Sequence, residues 1–220
     1  MTYTSFFISE CLLLWRRKQD IFNGLLFFLI VVVLFPLGIN STPEFLAPSA
    51  AGIVWCAVVL AILMTVENMF KEDYRDGSLE QLAVSGLSLP ILTLLKVTPQ
   101  WLGIVVPLLV MMPLLSEMLY LPSSGFWVLM MTLLLGTPSL FFIGGIGAAL
   151  TVSIRQGAML VMLLILPFYL PVIIFSTLAV KAAQDGMPYS GLLAMLLAMS
   201  LVSLVISPFM MAMAIKASVN

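Results

Sequence analysis

Six long runs of apolar residues, joined by short polar connections, leave this chain few ways to fold. They are Ile21–Ile39, Pro48–Val66, Pro90–Ser116, Phe126–Ile154, Ala158–Val180 and Ser190–Ala214. About 20 mainly apolar residues cross the ~30 Å hydrocarbon core of a bilayer as a helix. No water reaches that core, so each run must bond its own backbone, which only a helix does for a single segment. Composition agrees: 62% of the 220 residues are hydrophobic, 9% are charged, and the mean hydropathy is +1.19. A soluble domain of this length needs more charge than that to stay dispersed. The fold class expected is an all-α integral membrane protein with six transmembrane helices.

Charge placement sets the expected orientation. With the N-terminus in the cytoplasm, one side holds Arg16, Arg17, Lys18, Lys71, Arg75, Lys96, Arg155 and Lys216, and the other holds only Lys181. The positive-inside rule selects this arrangement, with both ends cytoplasmic. No small-residue cleavage site follows Ile39, so the first run reads as a retained anchor rather than a leader. Cys11 and Cys56 fall at different depths of this topology, which argues against a disulfide and for small apolar filler. The chain has no histidine. The commonest metal ligand and general base is thus missing, and no serine, cysteine or carboxylate sits in a catalytic pattern. Neither an enzyme nor a nucleic-acid partner is expected.

Residues 1–20 mix Phe6, Phe7, Ile8, Leu12, Leu13, Leu14 and Trp15 with Ser5, Ser9, Glu10, Arg16 and Arg17. They read as an amphipathic interfacial helix with Trp15 at headgroup depth, ahead of a six-span domain over residues 21–220. The outer connections are short turns such as Leu121-Pro122-Ser123-Ser124-Gly125. The connection at residues 67–89 differs. Between Glu67 and Leu82 it holds five of the ten acidic residues and two basic ones, so it must project from the membrane. Ser78 followed by Gln81 fits a capping box after Gly77. Leu79, Leu82 and Ala83 then share one helical face, and Gly86 is the expected stop. A short helix with an apolar stripe held at the membrane surface suits docking to a protein partner.

Prolines recur within the runs or at their ends, at Pro36, Pro107, Pro113, Pro138, Pro167, Pro171 and Pro208. Pro167 and Pro171, four residues apart in mid-span, suggest a fifth span broken or re-entrant on its outer half, of the kind that lines a pathway; a kinked structural helix is the alternative. In the fourth span, Gly144/Ala148 and Gly145/Ala149 are small-xxx-small pairs and predict close packing of another helix. Gly145-Ile146-Gly147 is no dinucleotide fingerprint, since no strand precedes it.

No acid or base is expected near the middle of a span. Lys96 lies about two turns inside the third, from where it can snorkel outward. Ion-coupled carriers generally need an intramembrane ionisable group, and the chain has no phosphate-binding Gly-x-x-x-x-Gly-Lys-Ser/Thr loop. Energy is therefore expected from a separate ATPase pressing on the helix near residue 80. A self-sufficient channel or carrier, and an assembly scaffold, are the competing readings.

Several stretches carry a more specific signal. They are Leu34-Phe35-Pro36-Leu37-Gly38, Gly52-Ile53-Val54-Trp55, the run from Phe70 to Leu82 including Asp76-Gly77-Ser78-Leu79-Glu80-Gln81-Leu82, Leu134-Leu135-Gly136-Thr137-Pro138, Gly147-Ala148-Ala149-Leu150, and Leu166-Pro167 to Ile174-Phe175. Together these resemble the CcmB family, the permease subunit of the heme exporter of cytochrome c maturation. The resemblance implies ABC-2-type permease architecture in the bacterial inner membrane and an N-terminal elbow helix. It implies a second copy of the chain, two copies of the ATPase CcmA, and association with CcmC, CcmD and the heme chaperone CcmE. ATP would be bound by the partner, and heme would be substrate rather than resident cofactor. Carried over, Asp76, Gly77, Ser78, Leu79, Glu80, Gln81 and Leu82 would seat in an ATPase groove, with Leu79 and Leu82 as buried anchors. The family often has His-Trp where this chain has Gln100-Trp101, and Phe-Gly where it has Phe175-Ser176. No histidine is thus offered to heme iron; Met111, Met112, Met130 and Met131 are the remaining candidate ligands, though methionine in such a chain is more often filler.

Overall fold

The structure, a computed structural model, describes residues 3–16, 18–38, 41–84, 86–154 and 158–219. Arg17 and Arg155 of the basic set lie outside these, as does the side chain of Trp15. The described residues form helices joined by turns, with no strand among them. In order these are α1 (Tyr3–Arg16), α2 (Lys18–Gly38), α3 (Pro43–Glu67), α4 (Lys71–Arg75), α5 (Ser78–Val84), α6 (Leu89–Met118), α7 (Ser123–Thr151), α8 (Ala158–Gln184) and α9 (Ser190–Val219). Six of them, α2, α3, α6, α7, α8 and α9, are long and apolar enough to cross a membrane. The chain is a multi-pass membrane protein, and each predicted run is one of these helices.

Proline and polar residues set the helix starts. Pro43 follows Thr42, and Pro90 follows Ser88 by two residues, so both sit in a first turn where a missing N–H costs nothing. The turn from α6 into α7 places Tyr120 at a φ of 53°.

α7 is the hub. It packs chiefly against α9 and α8, and also against α3 and α6. α2 lies on α3 and α6 at the rim, and most of its side chains face outward. Lipid tails are as apolar as leucine, so these contacts depend on close approach and hydrogen bonds rather than on the hydrophobic effect. The small residues show how. A Cβ on Gly144 would collide with Tyr169 Oη and lie 3.0 Å from Val66 Cγ1. On Gly145 it would lie 2.8 Å from Met211 Sδ, and on Gly136 2.7 Å from Trp55 Cη2. Ala148 and Ala149 are buried on the same helix. The stripe thus receives α3, α8 and α9 rather than one partner. Polar ties supplement it: Tyr169 Oη donates to the Leu140 carbonyl at 2.7 Å, Trp101 Nε1 donates to Thr137 Oγ1 at 3.0 Å, and Ser139 and Ser200 hydroxyls meet at 3.1 Å.

One expectation fails here. α8 runs unbroken from Ala158 to Gln184 with Pro167 and Pro171 inside it. Residues four apart lie on one face, so the two missing N–H groups fall along a single strip. That strip points away from the bundle: Pro167 is exposed and Pro171 half-buried, whereas Tyr169, Val172 and Ser176 are buried. The packed face keeps its hydrogen bonds, so the helix is not interrupted.

Candidate functional site

The two ends of the bundle differ in chemistry. One end gathers α1, α4, α5, the start of α6 and the last turns of α9. Phe6, Phe70, Leu79, Leu89, Leu92 and Ile215 enclose a small apolar contact there. At the other end Gln184 Nε2 reaches the Ala47 carbonyl at 3.4 Å, and Lys181 lines a groove of about 480 Å³ between α2, α3 and α8, with Phe35, Gly52 and Cys56 on its walls. On α8 that groove is lined by Thr177, Leu178, Lys181 and Gln184, beyond both prolines.

The charged connection forms a two-helix knuckle. After α3 the chain turns through Asn68–Phe70 and sets Met69 and Phe70 into the core. α4 then presents Asp73 inward and Glu72 and Arg75 outward. Lys71 and Glu67 pair at 2.5 Å across one helical turn at the rim. Gly77, at a φ of +72°, makes the reversal into α5 that a side chain would resist. Ser78 Oγ donates to the Asp73 carbonyl at 3.0 Å, and Gln81 N–H donates to the Gly77 carbonyl at 3.4 Å. The Ser78 hydroxyl therefore ties α5 back onto α4, a use the capping-box spacing did not foresee. Gly86, at a φ of +74°, follows α5 as expected.

The partner-anchor reading needs correction. Leu79 is 1% exposed and is buried in this chain's own core, against Phe6, Phe70, Leu89, Leu92 and Ile215. Leu82 is half-buried against the same cluster, and the Ala83 side chain lies outside the described residues. Gly77 and Ser78 are half-buried. The face left open carries Asp76, Glu80 and Gln81, together with Glu72 and Arg75. The apolar stripe secures the knuckle to the membrane helices. Any partner meets a polar, mostly acidic surface.

Beneath the knuckle lies an ionic cluster. Lys96 does not snorkel. Its side chain is 3% exposed, and its Nζ lies 2.5 Å from Asp73 Oδ2 and 3.2 Å from both Glu10 oxygens. Glu10 and Asp73 are themselves buried. A lysine two turns into a span is tolerable only with a counter-charge, and here one comes from α4 and one from α1. A cavity of about 210 Å³ adjoins the cluster, bounded also by Ser9, Leu13 and Gln81. Removing Lys96 from such a cluster strands buried carboxylates, at a cost of about 3–5 kcal/mol.

The cluster also orients α1. Phe6 and Glu10 face inward, while Ile8, Cys11 and Leu12 are exposed. The acid is satisfied inside the bundle and the apolar residues are left to lipid. Sequence reasoning named Glu10, Asp73 and Lys96 but did not join them. The signal was present: an acid in an apolar N-terminal segment and a base inside a span each need a partner, and they are the obvious pair.

The other candidates are scattered. Met112 is fully buried in α6, Met111 and Met130 are half-buried, and Met131 on α7 is half-exposed. Gln100 and Trp101 lie on α6, where Trp101 bonds to α7, and Ser176 is buried on α8 next to the half-buried Phe175. Among the described residues no group of three or more His, Cys, Asp and Glu side chains is placed to hold a metal ion.

Comparison with known proteins fits this architecture over its whole length. The model of the family described as CcmB protein matches residues 1–218. Heme exporter protein B of Haemophilus influenzae is 41% identical over 220 residues, covering all of both chains. Heme exporter protein B of Pseudomonas aeruginosa is 42% identical over 211 residues, 96% of this chain and 95% of the relative. That of Rhodobacter capsulatus is 38% identical over 197 residues, 90% of each. With a family model spanning nearly every residue and relatives aligned end to end, this chain belongs to the CcmB family.

Proposed function

We propose that this chain is the membrane-spanning permease subunit of a heme exporter complex that serves c-type cytochrome maturation. The observation that carries the reading is the end-to-end identity with proteins named Heme exporter protein B. The chain's own chemistry supports a role driven from outside. Among the described residues, the charged group lying deepest within a span is Lys96, and it is already paired with Asp73 and Glu10 rather than poised to carry an ion. Work is then supplied by a separate ATPase, CcmA in two copies, engaging a pair of permease chains at the exposed face of α4–α5. CcmC, CcmD and the chaperone CcmE complete the complex in the bacterial inner membrane. The output is heme delivered across the membrane or heme-loaded chaperone released.

In this mechanism ATP-driven closure of the partner dimer displaces the knuckle, and the paired spans rearrange around α7. Asp76, Glu80 and Gln81 supply the contact. Leu79 and Leu82 hold the knuckle to the spans that must move. The direct test is co-purification with the ATPase, followed by heme delivery in membranes. Asp76→Lys with Glu80→Lys should abolish association while the permease itself stays folded, because both residues are exposed. Undiminished heme delivery without the ATPase would instead identify a self-sufficient carrier.

A further inference from the structure

Lys96 stands between the knuckle and the spans, and we propose that it carries displacement of α4 to the membrane helix α6, with Asp73 as its hold on α4. This rests on the reading that a cytoplasmic partner pushes the knuckle. α4 is five residues long and bounded by turns at 68–70 and 76–77, so it can shift as a unit. A push on α5 reaches α4 through the Ser78 hydroxyl, which is bonded to the Asp73 carbonyl. From there two routes lead into the spans. One is the apolar contact of Leu79 with Leu89 and Leu92. Such contacts resist compression but slide readily, because dispersion is non-directional and small per atom pair. The other is the ion pair of Asp73 with Lys96, at 2.5 Å and almost fully buried. Drawing Asp73 away from Lys96 would leave a buried carboxylate without its counter-charge, so the link holds against pulling as well as pushing.

The two carboxylates are not equivalent. Asp73 approaches Lys96 through one oxygen at 2.5 Å, whereas both Glu10 oxygens stand at 3.2 Å. Glu10 belongs to α1, which the knuckle does not contain. Its part is to supply the second counter-charge and keep Lys96 in place when α4 moves. The cavity of about 210 Å³ beside the cluster gives the side chains room for that movement.

The inequality makes the idea testable, since replacing either carboxylate still leaves Lys96 one partner. The experiment uses the assembled complex with its ATPase in lipid nanodiscs, in a Cys11→Ala, Cys56→Ala background. Spin labels on exposed sites report two distances, Glu80→Cys to Phe168→Cys and Leu102→Cys to Phe168→Cys, with and without nucleotide. In the parent both distances should change on nucleotide binding. With Asp73→Asn the first should change and the second should not, and heme delivered per ATP hydrolysed should fall at least about fivefold. With Glu10→Gln both distances should respond as in the parent. If Asp73→Asn leaves the α6 response intact, or if Glu10→Gln abolishes it equally, Lys96 is a structural tie only. A parent complex in which neither distance responds would overturn the ATPase-driven reading itself.

Discussion

At the scale of single residues, close approach within the bundle depends on what is missing at Gly144. A methyl group there meets the Tyr169 hydroxyl and the Val66 side chain. Gly144→Ala should therefore destabilise the protein by about 1–3 kcal/mol through overpacking. Tyr169→Phe removes the atom in the way, although it also loses the bond to the Leu140 carbonyl. Thermal unfolding in detergent of both single variants and the double variant should show a double variant less damaged than the sum of the two. Strict additivity would mean the two side chains do not compete for the same space. Lys96→Met leaves two buried carboxylates facing each other and should cost about 3–5 kcal/mol by the same measurement. A solvent-exposed lysine at that position would cost under about 1 kcal/mol. Sequence alone showed that Gly144 and Gly145 needed close neighbours. It did not show that α3 and α8 meet the first and α9 the second, because a small residue specifies a short distance without naming what fills it.

At the scale of elements, the knuckle divides its work between its faces. Leu79→Ala should cost about 2–5 kcal/mol, since a buried leucine is emptied out of the chain's own core. Glu80→Ala, on the exposed side, should leave unfolding within about 0.5 kcal/mol of the parent. If the ATPase binds here, co-purification should fall for the second variant while stability falls only for the first. The capped, striped pattern around Ser78 showed that a short helix would form. It could not tell whether the stripe faces a partner or the membrane helices, because both are apolar surfaces of the same width. α8 teaches the reverse lesson. Two prolines left a broken span and a kinked helix both open, and they share one outward strip while the packed strip is intact. Pro167→Ala should accordingly change stability by less than about 1 kcal/mol and leave heme delivery unchanged, whereas a re-entrant segment held open by that proline would lose transport.

At the scale of the whole molecule, α1, α4, α5, the start of α6 and the end of α9 share one end of the bundle, and the turns near Tyr120 and Lys181 lie at the other. With single cysteines in a Cys11→Ala, Cys56→Ala background, Glu80→Cys and Lys216→Cys should react with an impermeant thiol reagent only in inverted membranes. Tyr120→Cys and Lys181→Cys should react only in intact cells stripped of their outer membrane. Labelling of position 80 from the outside would reverse the topology and remove the surface on which the proposed partner acts. What the chain's own order of residues determined was the number of spans, their helical state, the side on which basic residues gather and the one connection too charged for lipid. Those follow from transfer free energies, which act on each segment separately and so can be read one segment at a time. The pairing of Lys96 with Asp73 and Glu10, the burial of Leu79, the inward turn of Glu10 and the unbroken course of α8 were decided by tertiary structure. Each depends on which helix stands beside which, and segments equally soluble in lipid carry no instruction on that point until their side chains meet.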